Sequence, residues 1–225
     1  MPPRLQTLEY LIYLEIFNST IKQWNASAAV VSTHQPRLAN IVLVLVSNIT
    51  SLPVGLTQPQ MPAYAVEICG SDLEKLPVDI ASKWSPRLDV LYIERSQLST
   101  FPRAVLDFSV IANVSLALNN VSVLPRELFA MNSTSFLTLS GNPITAIPDD
   151  CAAPSHVAML DVRNTSISSL TRCVGSAFID GAGSPLCVNG GVGTINESKQ
   201  QLSCGNGGRE MTMFPLAELV VARAP

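Results

Sequence analysis

Charged residues are scarce in this chain. They make up 14% of its 225 residues, against about 25% in an average soluble domain. The formal net charge is −3, and no stripe of basic residues occurs, so nucleic acids and anionic membranes are poor partners. A chain with so few charges needs some other solubilising group at its surface.

The residues and motifs of enzymes are also rare or missing. The only histidines are His34 and His156, and no C-x-x-C pair occurs, so a zinc site is not predicted. The G-x-S-x-G, P-loop, H-E-x-x-H and kinase motifs are absent. The carboxylates are scattered, with no pair that indicates a general acid and base. We therefore predict no enzymatic activity and no cofactor.

Long apolar runs are absent as well. The longest, residues 41–46, is far shorter than the roughly 20 residues that cross a membrane, so no membrane span is predicted in this chain. The first ten residues lack the apolar stretch of a signal peptide. This start is compatible with two hypotheses: a fragment of a longer protein, or an intracellular protein.

What the chain has instead is one apolar frame, L-x-x-L-x-L-x-x-N-x-L-x-x-L-P, that returns seven times. Successive repeats of its fourteenth position are 28, 24, 25, 23, 23 and 23 residues apart. The fourth positions are Leu14, Val42, Val66, Leu91, Val114, Leu137 and Leu160, and the sixth are Ile16, Val44, Ile68, Ile93, Leu116, Leu139 and Val162. The eleventh are Ile21, Ile49, Leu73, Leu98, Val121, Ile144 and Ile167, and the fourteenth are Trp24, Leu52, Leu76, Phe101, Leu124, Ile147 and Leu170.

Two further positions of the frame are chemically consistent. The ninth holds a side chain that can hydrogen-bond the backbone of a buried turn. Proline follows the fourteenth position in five repeats and prevents a long regular helix. The ninth positions are Ser19, Ser47, Ser71, Ser96, Asn119, Asn142 and Thr165. Because serine is a shorter substitute for asparagine, we expect a weaker ladder of such bonds in the first four repeats.

With this frame and period the chain resembles the typical class of leucine-rich-repeat proteins. The resemblance implies an α/β solenoid, a right-handed arc with a parallel β-sheet on its concave face. Loops, 3-10 turns and short helices would form the convex face. We predict a lead-in at residues 1–10, a solenoid of about seven repeats at 11–172, a Cys- and Gly-rich cap at 173–210 and an apolar tail at 211–225.

The second repeat has two possible alignments. Aligning its Pro-Arg-Leu with later repeats turns Leu38, Ile41 and Leu43 inward, whereas aligning Leu52-Pro53 turns Val42 and Val44 inward. A one-residue insertion or bulge is therefore implied, and its place stays open.

N-x-S/T sequons are more frequent than this composition would produce by chance. They indicate a glycosylated protein of the secretory pathway, in which glycans replace charge as the solubilising group. The alternative is that a Ser-, Thr- and Asn-rich surface makes them accidentally. The sequons are Asn18, Asn25, Asn48, Asn113, Asn120, Asn132, Asn164 and Asn196.

Four cysteines in the last third of the chain also suit an oxidising compartment. Cys151, Cys173, Cys187 and Cys204 allow three pairings, and spacing alone does not choose among them. Similarity to extracellular leucine-rich-repeat proteins, many of which have a disulfide-stapled C-terminal cap, favours Cys151–Cys173 and Cys187–Cys204. The fifth cysteine, Cys69, is expected on the sheet surface as a small, partly covered residue. Pairing with another molecule is the alternative for Cys69.

A stretch without sequons between Asn48 and Asn113 indicates where a partner binds, because glycans would exclude one. The third and fourth repeats lie in this stretch, and the concave face is the usual binding surface of such solenoids. Tyrosine and arginine are also frequent in binding hot spots. The candidate partner-binding residues are Tyr64, Glu67, Asp89, Tyr92, Glu94 and Arg95.

The resemblance and the sequons together predict a recognition module that binds a protein or peptide, of basic or mixed charge, without catalysis. We expect it to be extracellular, either secreted or part of the ectodomain of a receptor. The alternative is an intracellular, cytoplasmic scaffold for protein–protein assembly. The sequence does not indicate the oligomeric state.

Overall fold

The protein is described by a computed structural model that covers residues 1–188, 201–205 and 213–214. These residues fall into two compact units. The first contains Met1–Leu98 and Pro102–Ile111, and the second contains Ser99–Phe101 and the described residues from Ala112 onward.

Within each unit the β-strands are parallel and follow one another in chain order. The first unit contains β1 (Tyr13–Thr20), β2 (Asn40–Ser47), β3 (Ala65–Cys69) and β4 (Val90–Glu94). The second contains β5 (Asn113–Ser115), β6 (Phe136–Thr138), β7 (Met159–Asp161), β8 (Phe178–Asp180) and β9 (Gln201–Ser203). One strand per repeat, always parallel to its neighbour, is the arrangement that the apolar frame predicts.

The connections between strands are short helical turns. The 3-10 turns are Pro3–Thr7, Ala26–Ala28, Val54–Leu56, Arg103–Asp107, Arg126–Ala130 and Arg172–Val174, and the α-helices are α1 (Ile80–Lys83) and α2 (Pro185–Val188). Pro53, Pro102 and Pro125 stand directly before three of these turns. Because proline fixes φ and has no N–H to donate, it starts such a turn well. The predicted α/β solenoid class is confirmed.

The apolar frame forms the core of both units. All of its fourth, sixth, eleventh and fourteenth positions are buried except Leu14, Ile16 and Leu170, which are half-buried. Leu14 and Ile16 belong to β1, which has a neighbouring strand on one side only in the described structure. Burial of these side chains is the main stabilising term for the solenoid, at about 25 cal/mol per Å² of apolar surface removed from water.

Strand pairing settles the alignment of the second repeat. Leu14 pairs with Ile41, and Ile41 pairs in turn with Val66. The fourth and sixth positions of this repeat are therefore Ile41 and Leu43, and the alignment that placed Val42 and Val44 there is wrong. Both pairs of residues are buried, so β2 is apolar on both faces and its periodicity alone could not decide between them.

The inserted residue of the second repeat is Asn48. Thr20 pairs with Ser47, and Ile49 is buried in the same role as Ile21 in the repeat before it. One extra residue therefore lies between Ser47 and Ile49. Asn48 has a φ of +65°, a left-handed conformation that asparagine tolerates better than most residues.

In each repeat that contains one of the strands β1 to β8, a left-handed residue lies within three residues of the end of the strand. With the corrected alignment, each one is at the eighth position of the frame. The residues and their φ values are Asn18 (44°), Leu45 (53°), Gly70 (67°), Arg95 (50°), Leu118 (55°), Gly141 (68°), Asn164 (51°) and Gly183 (74°). Gly183 continues the pattern past residue 172, where β8 and β9 also extend the sheet of the second unit.

Three of these left-handed residues are glycines because of their neighbours in the preceding repeat. A Cβ on Gly70 would lie under 3.0 Å from the side chain of Leu45, and a Cβ on Gly141 would meet Leu118 in the same way. A Cβ on Gly183 would meet Asn164, also under 3.0 Å away. In these three pairs of repeats, the side chain at the eighth position of one repeat leaves room only for a glycine in the next.

Candidate functional site

The candidate site lies on the face of the first unit's sheet that points away from the core, called here the outer face. Alternation along a strand sends the fourth and sixth positions inward and the third, fifth and seventh outward. Glu67 of β3 pairs directly with Tyr92 of β4, and Cys69 pairs with Glu94. Asp89 donates its backbone N–H to the carbonyl oxygen of Tyr64, at 2.9 Å. Glu67 and Cys69 thus lie beside Tyr92 and Glu94 on two neighbouring strands, and Tyr64 and Asp89 directly precede these strands.

These residues differ widely in exposure. Tyr64 is 51% exposed and Arg95 is also exposed. Glu67, Asp89 and Tyr92 are half-buried. We call Glu67, Asp89 and Tyr92 the acidic tyrosine patch, since their side chains are partly covered and still reachable from water.

Glu94 and Cys69 depart from the expected surface. Both are 0% exposed, whereas the sequence predicted an accessible carboxylate and a partly covered thiol. The two side chains are next to each other on paired strands, and Val44 pairs with Cys69 on the other side. A strand face of this composition is closed over by its own neighbours, so direct contact of Glu94 with a partner is not expected. Cys69 is in neither disulfide.

The electrostatics of the patch follow from its burial and its carboxylates. Burial is the main cause that raises the pKa of Tyr92 to about 12, and the charges of Glu67, Glu94 and Asp89 contribute further. Burial also raises the pKa of Glu67 above its usual value of 4.5. Three carboxylates close enough to affect one phenol create a negative potential there. Such a patch suits a cation, which can also contact the face of the tyrosine ring.

The outer face of the second unit has a different chemistry. Arg163 holds Asp161 through two bonds, from Nε to Oδ1 at 2.9 Å and from Nη2 to Oδ2 at 2.6 Å. Asp180 lies 3.6 Å from the same guanidinium. Hydrogen bonding with Asp161 raises the pKa of Arg163 further above its usual value. The charges of this cluster largely satisfy one another.

An aromatic row lies beside this cluster. Phe136 and Phe178 are each 41% exposed, and Met159 between them is half-buried. Sequence reasoning missed Met159 and Phe178 as surface residues. Extending the frame by one more repeat, with Ile179 at its fourth position, would have found Phe178.

The sequons lie mainly on accessible parts of the surface. Six are exposed, namely Asn18, Asn25, Asn48, Asn120, Asn132 and Asn164. Asn113 is half-buried in β5, and Asn196 is outside the described residues. The Nδ2 of Asn48 donates to the carbonyl oxygen of Ile21 at 2.7 Å, so its side chain also has a structural role.

The last third of the chain contains two disulfides. Cys151 and Cys173 are joined at 2.07 Å and Cys187 and Cys204 at 1.97 Å, the pairing that similarity to extracellular leucine-rich-repeat caps favours. The first links neighbouring repeats of the second unit. The cap glycines at 190, 191 and 193 and most of the apolar tail lie outside the described residues.

Two general features of the described residues bear on function. No helix among them has both the length and the apolar character that crossing a bilayer demands. In the same residues, no group of three or more His, Cys, Asp or Glu side chains could hold a metal ion.

Solved structures that share this fold are leucine-rich-repeat proteins. One, from Leptospira interrogans, has a TM-score of 0.51 and 15% identity, over 82% of this chain and 58% of its own length. The plant peptide hormone receptor RGFR1 in complex with RGF2 has a TM-score of 0.44 and 15% identity, over 81% of this chain and 35% of that one. A leucine-rich repeat protein from Bacteroides eggerthii has a TM-score of 0.43 and 12% identity, over 82% and 42%.

The first of these likenesses identifies the fold. The repeat frame, the parallel strands and the first of these structures together show that the chain has the leucine-rich-repeat fold. No protein-family model matches it, and no curated protein matches it in sequence. The chain spans 58% or less of the length of the three structures named above.

Proposed function

We propose that the protein is an extracellular leucine-rich-repeat recognition module that binds a peptide or protein segment through the acidic tyrosine patch. The observation that carries the proposal is the direct pairing of Glu67 with Tyr92 on the outer face of the first unit, with Asp89 nearby. This arrangement suits a lysine or arginine side chain, which would gain both carboxylate and ring contacts. Binding without chemistry is the usual role of a rigid repeat surface.

The extracellular part of the proposal is supported by the disulfides and the sequons. Disulfides persist in oxidising compartments and are rare in the cytosol. Six exposed sequons could carry glycans without disturbing the core. The intracellular scaffold remains the alternative, and it requires four cysteine thiols in place of the two disulfides.

Intact mass decides between these compartments. We expect the native protein to lose mass on treatment with N-glycosidase and to show one reactive thiol per unfolded chain, that of Cys69. An unchanged mass together with five thiols would contradict the extracellular assignment.

Peptide selection tests the binding surface. The immobilised protein is exposed to a phage-displayed library of random peptides, and the selected peptides are measured against variants. We expect enrichment of Lys and Arg over Asp and Glu. Tyr92→Ala should weaken binding by about 30-fold, as for a hot-spot residue worth about 2 kcal/mol.

A matched tyrosine in the same unit is the control. Tyr10 is 75% exposed and stacks with Arg37, whose guanidinium carbon lies 5.1 Å from the ring centroid. Tyr10→Ala should leave binding unchanged. Enrichment of acidic peptides, or equal effects of the two substitutions, would contradict the acidic tyrosine patch as the site.

A further inference from the structure

The second unit has an aromatic row on its outer face that the described residues leave partly exposed. Phe136, Met159 and Phe178 occupy the third position of β6, β7 and β8, and they are in register with one another. Adjacent strands lie about 4.8 Å apart, so the row is about 10 Å long. Both of its rings, those of Phe136 and Phe178, are 41% exposed. The exposed sides of these residues can therefore contact another group.

The next residue in the same row is a sequon. Asn113 of β5 pairs with Phe136, and Asn113-Val114-Ser115 has the N-x-S pattern. The third position points outward, so the side-chain amide of Asn113 lies on the same face as the aromatic row, one strand away. Among the described sequons, Asn113 also differs in its burial, because it is half-buried and the other six are exposed.

We propose that Asn113 carries an N-linked glycan that folds back over Phe136, Met159 and Phe178 and becomes part of the structure. The proposal rests on the extracellular function proposed above. In the attachment, Nδ2 of Asn113 displaces the diphosphate from C1 of the first sugar of a lipid-linked oligosaccharide. The C1–O bond breaks, an N–C1 bond forms, the lipid diphosphate leaves and the amide loses one proton.

The chemistry of the two surfaces is complementary. One face of a pyranose ring presents C–H groups, which pack against aromatic rings, while its hydroxyls remain in water. An N-acetylglucosamine next to Asn113 would contact Phe136 first, and further sugars would continue toward Met159 and Phe178. The row's length of about 10 Å, from the strand spacing, is sufficient for two sugar rings. A covalent attachment beside the row raises the effective concentration of the sugar, so weak contacts suffice.

The experiment compares glycans at two sequons. The protein is secreted from a eukaryotic host, and occupancy is read by mass spectrometry of glycopeptides. We expect Asn113 to be occupied and Asn113→Gln to lower the melting temperature by about 4 °C, of the order that one lost contact cluster produces. The control, Asn120→Gln, removes the glycan of an exposed sequon in the same repeat and should leave the melting temperature unchanged.

Variants of the aromatic row separate a glycan contact from an effect on the polypeptide. In a Phe178→Ser background, Asn113→Gln should lower the melting temperature by less than it does in the wild type. If Asn113→Gln does not fold, enzymatic trimming of the glycans to their first sugar, in the wild type and in Phe178→Ser, tests the contacts of the outer sugars with the polypeptide unchanged. An identical loss in both backgrounds would overturn the proposal.

Other outcomes are also decisive. Occupied Asn120 and Asn164 with Asn113 unmodified would overturn this inference and leave the extracellular function intact. If no sequon is occupied, both the glycan proposal and the proposed extracellular function are contradicted. A dimer of the secreted protein that Phe178→Ser dissociates would mean that a second copy covers the row, which also overturns the proposal.

Discussion

The two units use different side chains to form hydrogen bonds with the backbone groups that follow their strands. In the first, Ser71 and Ser96 bond to each other at 2.9 Å, and the hydroxyl of Ser71 accepts from the N–H of Leu73 at 3.3 Å. In the second, Asn142 donates to the carbonyl oxygens of Leu116 and Leu139, at 2.8 and 2.9 Å. It also accepts from the N–H of Val121 at 3.0 Å. A side-chain amide has both donors and an acceptor. One asparagine can therefore donate to and accept from the backbone of the preceding repeat.

In the first unit, part of this connection between repeats is made by Asp72, the residue that follows Ser71. The carboxylate of Asp72 accepts from the N–H groups of Asn48 and Ile49, each at 2.8 Å, and Asn48 donates back to Ile21. The inserted residue of the second repeat therefore depends on a charged acceptor in the third. The backbone therefore requires hydrogen bonds between repeats, and different side chains can provide them.

We expect the largest difference between the two units when a charge is placed in the core of one of them. Leu116 is completely buried, and Leu116→Asp should destabilise the second unit by more than about 4 kcal/mol, because an unpaired carboxylate is buried. Hydrogen exchange with mass spectrometry should show loss of protection throughout β5–β7. The matched substitution Ile16→Asp, at a half-buried sixth position, should have a much smaller effect. Unchanged melting of Leu116→Asp would contradict the alignment of the repeat.

A second prediction measures the ladders directly. Asn142→Ala leaves buried carbonyl and N–H groups without their partner, and should destabilise the second unit by about 3 kcal/mol. Ser71→Ala removes one hydroxyl from the first unit and should cost about 1 kcal/mol. Hydrogen exchange of the affected repeats measures both. Equal losses would mean that serine and asparagine ladders are equivalent.

The third prediction concerns the left-handed glycines, of which each unit supplies one for comparison. Gly141→Ala and Gly70→Ala both place a Cβ at positive φ and against a leucine of the preceding repeat. Each should destabilise its unit by about 2 kcal/mol, from backbone strain of about 1–2 kcal/mol plus the clash. Adding Leu118→Ala to Gly141→Ala should remove the clash and leave the strain. A double variant no less destabilised than the sum of the singles would show that the leucine is not the cause.

Most of the fold could be predicted from the sequence because the repeat signals agree with one another. The frame identified the core of both units, with only Leu14, Ile16 and Leu170 less buried than expected. Its one error was in the second repeat, where both faces of β2 are apolar and the register depends on pairing with β1 and β3. That pairing is a tertiary property which periodicity does not contain.

The candidate site was less predictable for a related reason. Alternation predicted Glu67 and Tyr92 on the outer face, and both are half-buried, but alternation carries no information about how neighbouring side chains cover that face. Glu94 and Cys69 are buried there, although they occupy outward positions. The packing of Leu45 and Leu118 against glycines was likewise unforeseen. In the sequence, this packing is indicated by a leucine at the eighth position of one repeat and a glycine at the eighth position of the next.

The smallest predicted effect tests the acidic tyrosine patch of the first unit through pH. Burial raises the pKa of Glu67 above its usual 4.5, so ionising it disfavours the folded state. The stability of the wild type relative to Glu67→Gln should therefore be greatest below that usual pKa and should fall as pH rises through the raised value. At pH 7 the Gln variant should be slightly the more stable.

Urea denaturation followed by tryptophan fluorescence suits this test, because both tryptophans, Trp24 and Trp84, lie in the first unit. Glu74→Gln removes the same charge from an exposed position and corrects for net charge. A wild-type advantage that instead grows with pH would mean that the carboxylate gains a favourable partner on folding, and the patch would then not be available to a cation.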